Sequence, residues 1–182
     1  MKNNIITVIG PLYPVDFDLE LCVKNGPVIV TNTSHEKITP KYAIITSESQ
    51  LQDTMNLSNF KQTRLLVPES MYKKYLFFEN IDQLPYFPAI KGLELNEHQC
   101  SKQSLALMLA CWMEAETVHL FGYDIQDLTE RERLLGIGMI NPHTRIIYTR
   151  KPNPSKIFLF DSYKNMSVMD YKQYQKEYNG KK

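Results

Sequence analysis

The chain has 182 residues, a formal net charge of +1 and 43% hydrophobic residues. That length suits one domain with a sizeable core. The near-neutral charge argues against a broad basic surface for nucleic acid or anionic lipid. Cys22, Cys100 and Cys111 share no short spacing, which argues against a disulfide framework or a zinc ribbon.

Three scattered cysteines read as buried free thiols in a reducing compartment. Met1-Lys2-Asn3-Asn4 leads straight into Ile5–Ile9, a run too short for the apolar core of a signal peptide. No apolar run approaches the ~20 residues that span a bilayer. A soluble, cytoplasmic protein is expected. Eleven Tyr, eight Phe and eight Met suit either a robust core or extra buried surface in an oligomer.

Ile5 to Gly10 is a β-branched run closed by Gly10-Pro11, a strand ending in a turn. Val15, Leu19 and Cys22 or Val23 share one helical face over residues 15 to 24, and Gly26-Pro27 ends that helix. Val28–Thr31 and Tyr42–Thr46 are further apolar strands. Ser47-Glu48-Ser49-Gln50 resembles a capping box for a helix to about Asn56. Arg64–Val67 is a short strand, and Pro68 starts a helix with Met71, Tyr72 and Tyr75 on one face. Phe77 to Ile90, with Pro85 and Pro88, reads as irregular: a loop over a site or a packing arm.

Ser101 to Ala115 is apolar nearly all round, which predicts a helix buried on more than one face. Thr117–Phe121 follows as a strand, then Thr129–Leu135 as a charged helix with an apolar side. Arg145–Thr149 and Lys156–Phe160 read as a C-terminal strand pair, a hairpin at a sheet edge. Ser167 to Tyr178 reads as a polar terminal helix capped by Ser167, and residues 163 to 182 as helix and tail. Continuous apolar strands alternating with helices predict a single α/β domain over residues 1–182: Rossmann-like, mostly parallel, with helices on both faces.

Ligands in such folds bind at the carboxyl ends of the strands. Neither G-x-G-x-x-G nor G-x-x-x-x-G-K-[ST] is present. Gly10 permits a ligand to approach the backbone, but Pro11 removes an amide donor. Asn32 ends the second strand, where its amide can read a base or sugar or form an Asx-turn. Gly122-Tyr123-Asp124 ends the strand Thr117–Phe121. Asp124 there can accept bonds from sugar hydroxyls, act as a base, or cap the next helix. His143 lies in a loop, with Arg145 nearby to hold an anionic substrate. His119 reads instead as a packed, hydrogen-bonded core residue. The four His residues are far apart and no H-E-x-x-H occurs, so no metal site is expected.

The stretch from Gln103 to Ile125, with S-L-A-L-M-L-A-C-W-M-E-A-E-T-V-H-L-F-G-Y-D-I, resembles the helix–strand motif of sialyltransferases and related Rossmann-like proteins that bind nucleotide-activated groups. The amino-terminal third is similar in layout: strands end at Ile9-Gly10-Pro11, at Val30-Thr31-Asn32 and before Ser47-Glu48. It departs from the family where Gly-Pro-Leu-Tyr replaces the Asn-bearing first turn, and where Ser47 or Glu48 replaces an Asp. The resemblance implies a metal-independent glycosyltransferase whose substrate is a nucleotide sugar, CMP-activated in the sialyltransferases, with no resident cofactor. Gly10, Asn32 and Ser47 would face the nucleotide, and Gly122 would admit the sugar. Asp124 and His143 would act on the sugar and acceptor glycan, and Arg145 on the anionic group.

A second expectation is a non-catalytic structural or interaction protein on the same fold, such as a virion or assembly component that self-associates. The degenerate first turn, the short chain and an Asn/Lys/Tyr-heavy composition favour it.

Overall fold

The computed structural model describes residues 4–12, 18–31, 37–86, 101–123, 125, 127–150 and 163–179. The strands are β1 (Ile5–Ile9), β2 (Val28–Val30), β3 (Tyr42–Ile44), β4 (Arg64–Val67), β5 (Ile81–Gln83), β6 (Thr117–Phe121), β7 (Arg145–Arg150) and β8 (Met166–Asp170). The helices are α1 (Leu19–Asn25), α2 (Glu48–Met55), α3 (Glu69–Tyr72), α4 (Lys102–Trp112), α5 (Leu128–Ile140) and α6 (Tyr171–Asn179).

The eight strands form one sheet in the order β5-β4-β3-β2-β1-β6-β7-β8. Every neighbouring pair is parallel. The chain builds outward from β1 to β5, then returns across one face through α4 to lay β6 on the other side of β1. The topological switch point therefore lies between β1 and β6, and all strand carboxyl ends share one edge.

Alternate residues of each strand serve two cores, as the period of two requires. Ile6, Val8, Val118, Leu120 and Ile146 pack under α4 and α5. Ile9, Val28, Val30, Phe121 and Ile147 pack under α1, α2, α3 and α6. The expectation of a parallel α/β sheet covered on both faces holds.

Three local expectations are corrected. The stretch after Phe77 contains a strand: β5 pairs with β4, although Ile81-Asp82-Gln83 has little strand propensity. Contacts from elsewhere hold it there. The Asn80 amide donates to the carbonyls of Phe60 (2.7 Å) and Thr63 (3.1 Å), and Arg64 makes a two-pronged bond to Asp82.

The terminal helix begins later than Ser167. Residues 166–170 form β8, and the cap is Asp170: its carboxylate accepts from the Gln173 amide at 2.8 Å, and its own amide donates to Gln173 Oε1 at 3.0 Å. The motif is a capping box three residues downstream of the expected one.

β7 is not an edge-hairpin strand, because β6 and β8 flank it, both parallel. The expected strand at Lys156–Phe160 lies outside the described residues.

Candidate functional site at the carboxyl edge

The resemblance and the topology both point to the switch point, where β1 and β6 end at Gly10 and Gly122. There the backbone is zipped shut. The Gly10 amide donates to the Phe121 carbonyl at 2.7 Å and the Leu12 amide to the Gly122 carbonyl at 3.0 Å. Pro11 has no amide to offer. The described part of the first turn thus spends its donors on β6 and keeps none for a phosphate. A Cβ on Gly10 would lie 2.6 Å from the Gly122 carbonyl oxygen, and Gly122 itself sits at φ 68°. Glycine at these positions is required by close backbone approach and by a left-handed turn.

Tyr123 is an internal strut. It is buried, its hydroxyl donates to the Gln103 carbonyl at 2.9 Å, and its own carbonyl accepts from the Tyr148 hydroxyl at 3.1 Å. This chain of bonds ties β7, the end of β6 and the first turn of α4. Burial pushes the Tyr123 phenol well above its usual range, so it stays neutral.

Glu130 on α5 anchors the same turn. Its buried Oε1 accepts from Ser101 Oγ at 2.6 Å and from Ser104 Oγ at 3.0 Å. Ser101 also caps α4, accepting from the Ser104 amide at 3.0 Å. A carboxylate at a helix N-terminus is favoured by the helix dipole.

Held in this first turn is Lys102. Its Nζ donates to Gln50 Oε1 at 2.8 Å. Gln50 lies in the first turn of α2, which covers the opposite sheet face. The bond therefore bridges the two helix layers across the carboxyl edge. Lys102 is half-buried, and burial alone lowers its pKa from the usual 10.5. None of the ion pairs among the described residues includes it. A partly desolvated cation with a neutral partner, beside two helix N-termini, is an arrangement that an anion would stabilise.

The residues singled out in the sequence divide between the two edges. Gly10, Gly122 and Ser47 share the carboxyl edge. Ser47 caps α2, its Oγ accepting from the Gln50 amide at 3.4 Å. Asn32 and Asp124 lie outside the described residues. His143 and Arg145 are exposed at the amino edge, where the Arg145 amide donates to Glu116 just ahead of β6. Arg145 is in register with Thr117, four residues before Phe121, so about 13 Å of strand separates it from the carboxyl edge. His143 and Arg145 therefore do not join Gly10 and Gly122. A loop entering a parallel strand always lies at the amino edge, and that rule corrects their expected placement.

His119 is the core residue it was expected to be. It is fully buried, with Nε2 2.8 Å from the Tyr178 hydroxyl, and the rings of Tyr174 and Tyr178 meet its own edge-on at 5.0 Å. Lys102, Gln50, Ser101, Ser104 and Glu130 escaped sequence reasoning as site residues. Two of them left a trace: Gln50 as the last position of the expected capping box at Ser47, and Ser101 as the first residue of the expected apolar helix.

The described residues also line an open cavity of about 470 Å³ between α1 and the loops that enter β3 and β4. Glu20, Lys24, Lys37, Thr39 and Ser58 surround it. It lies at the amino edge, away from Gly10 and Gly122, and its polar side chains are exposed. Among the described residues no group of three His, Cys, Asp or Glu stands together to hold a metal, and no helix is long and apolar enough to cross a membrane. No family model, curated protein or solved structure matches the chain.

Proposed function

We propose that the chain binds a small phosphate-bearing ligand of the nucleotide-sugar kind at the carboxyl edge of the sheet. The observation that carries this reading is Lys102, a half-buried cation bonded to the Gln50 amide between the first turns of α2 and α4. A phosphate there would gain the lysine's charge and the positive ends of two helices. Because Gly10 and Leu12 spend their amides on β6, the edge is better matched to one phosphate than to a diphosphate. A CMP-activated sugar carries one. Glycosyl transfer is the further step of this proposal. It would draw on Asp124 and an acceptor, without His143, which lies at the other edge.

Calorimetry with CMP, UDP and inorganic phosphate tests binding, with Lys102→Met beside the wild type. CMP binding to the wild type and at least a tenfold loss in Lys102→Met is expected. No heat at millimolar ligand, or equal binding by both proteins, sinks the proposal.

One observation favours a non-catalytic structural or interaction protein on the same fold: the zipped turns at the switch point, which leave no amide of residues 10–12 facing a ligand. A folded wild type that binds none of the three ligands would favour that reading.

A further inference from the structure

The cavity beside α1, at the amino edge of the sheet, follows from how one face is covered. Leu21 and Cys22 of α1 and Leu51 of α2 pack on the same face. Between these helices runs the loop that enters β3. Its described residues, 37–41, form no helix and bury only Ile38 and Pro40. Ile38 is 7% exposed and joins the core below α1 and α2. The covering layer is thin here, and a hollow of about 470 Å³ opens with Ile38 in its lining. That volume lies within the roughly 300–1,000 Å³ of small-molecule sites.

The walls are pinned on every side. The Asn59 side-chain amide donates to the Ile38 carbonyl at 2.8 Å, which ties the loop entering β4 to the loop entering β3. The Lys41 amide donates to the Val28 carbonyl at 3.0 Å, and the Arg64 amide to the Lys41 carbonyl at 3.1 Å. Asp18 caps α1, accepting from the Leu21 amide at 3.1 Å. A hollow framed in this way is formed before a ligand arrives, which lowers the ordering cost of binding.

Its lining combines three kinds of surface. Ile38 and Val23 are apolar, and Val23 is 41% exposed. Thr39 and Ser58 add hydroxyls. Lys24 and Lys37 bring two ammonium groups against one carboxylate, Glu20. Glu20 Oε2 lies 4.0 Å from Lys24 Nζ with both side chains largely exposed, so that pair is worth little. Lys37 joins none of the ion pairs among the described residues. Either lysine alone would be an ordinary solvated charge. Two that share a concave surface with hydroxyls and an apolar patch form a set matched to one ligand.

We propose that this cavity is a second binding site, for a small polyol that carries one anionic group: a sugar phosphate or a sugar acid. The two ammonium groups hold the anion, and charge-assisted hydrogen bonds are the strong ones in such a contact. Thr39, Ser58 and the Glu20 carboxylate bond the ligand's hydroxyls. Ile38 and Val23 take the C–H face of the ring. The site is separate from Lys102 and does not depend on a ligand at the carboxyl edge.

Amide NMR and calorimetry on the full-length chain test this with glucose-6-phosphate, glucuronate, glucose and inorganic phosphate. Saturable shifts at Lys24, Lys37, Thr39 and Ser58 are expected with at least one of the two anionic sugars, and which one binds names the anionic group. Lys37→Met should weaken that binding about tenfold or more, the usual worth of a hydrogen bond to a charged group. Lys61→Met, an exposed lysine outside the cavity, should bind as the wild type does. The variants' amide spectra check that both are folded. No saturable shift with either anionic sugar at millimolar concentration overturns the proposal. So does equal binding of glucose, which would leave the lysines unused, or of inorganic phosphate, which would mean an adventitious ion only. An equal loss in Lys61→Met would show general charge attraction and overturn it as well. Failure of CMP to bind at Lys102 leaves each of these outcomes unchanged.

Discussion

Gly10 and Gly122 stand so close that a single added carbon on Gly10 would lie 2.6 Å from the Gly122 carbonyl oxygen. The opposing group is backbone, just past the end of the central strand β6, and cannot rotate away as a side chain could. Gly10→Ala should lower stability by about 1–3 kcal/mol, the usual cost of forcing volume into a packed site. It should also weaken any ligand held at the carboxyl edge. Gly122→Ala should cost about 1 kcal/mol for its left-handed φ of 68°. Urea unfolding of both variants checks the order. An Ala at position 10 that unfolds at the wild-type midpoint would show that the two turns are not in contact.

Burial lowers the pKa of Lys102 from 10.5. The unfolded chain therefore binds more protons than the folded one between the folded value and 10.5, and stability rises with pH across that window. The destabilising contribution is fully present at neutral pH and is relieved as the lysine loses its proton. Lys102→Met should abolish this alkaline gain and should match or exceed the wild type in stability at pH 7. A bound anion should raise the lysine's pKa and flatten the same slope. Thermal melts between pH 7 and 10.5, with and without CMP, measure all three effects.

Glu130 receives two hydroxyls on one oxygen, and Ser104 is fully buried. Glu130→Ala would leave the buried Ser104 hydroxyl only the longer contact to Ser101 Oγ at 3.3 Å, and should cost about 1–3 kcal/mol. Glu130→Gln keeps an acceptor and should cost clearly less. If the cluster holds Lys102 in place, Glu130→Ala should also weaken CMP binding more than Glu130→Gln does. Denaturant midpoints and calorimetry on the two variants separate the effects.

The thiols of Cys22 and Cys111 are both pushed up to about 12, with burial the largest cause. Tyr174 and Thr144, their hydroxyl partners, offset only part of that rise. Neither thiol should react with iodoacetamide in the native protein at pH 8, and both should react in urea. Mass spectrometry of the alkylated peptides reads this directly.

The architecture was legible because parallel strands buried on both faces are written as continuous apolar runs, such as Val28-Ile29-Val30 and Val118-His119-Leu120-Phe121. Where burial is one-sided or borrowed, the signal failed. Ile81-Asp82-Gln83 is a strand because Asn80 and Arg64 hold it against β4, and nothing local encodes that. The segment Met166–Asp170 looked like the start of a polar helix. Its strand state comes from pairing with β7, and Asp170 supplies the cap that Ser167 was expected to give.

The candidate site was legible only at its glycines. Gly10 and Gly122 follow apolar strands and mark the edge. Lys102 and Gln50 lie 52 positions apart, and Glu130 lies 26 beyond Ser104. Only the return of α4 across the sheet brings these residues together. His143 and Arg145 looked like site residues because they border a strand, but they border the wrong end of it.

The most direct measurement is a two-dimensional amide NMR titration of the isotope-labelled full-length chain with CMP. Saturable shifts should cluster at Gly10, Ser47, Gln50, Lys102 and Gly122, and should vanish in Lys102→Met. Shifts confined to Lys24, Lys37 and Ser58 around the amino-edge cavity, or no shifts at millimolar CMP, would contradict a ligand site at the carboxyl edge.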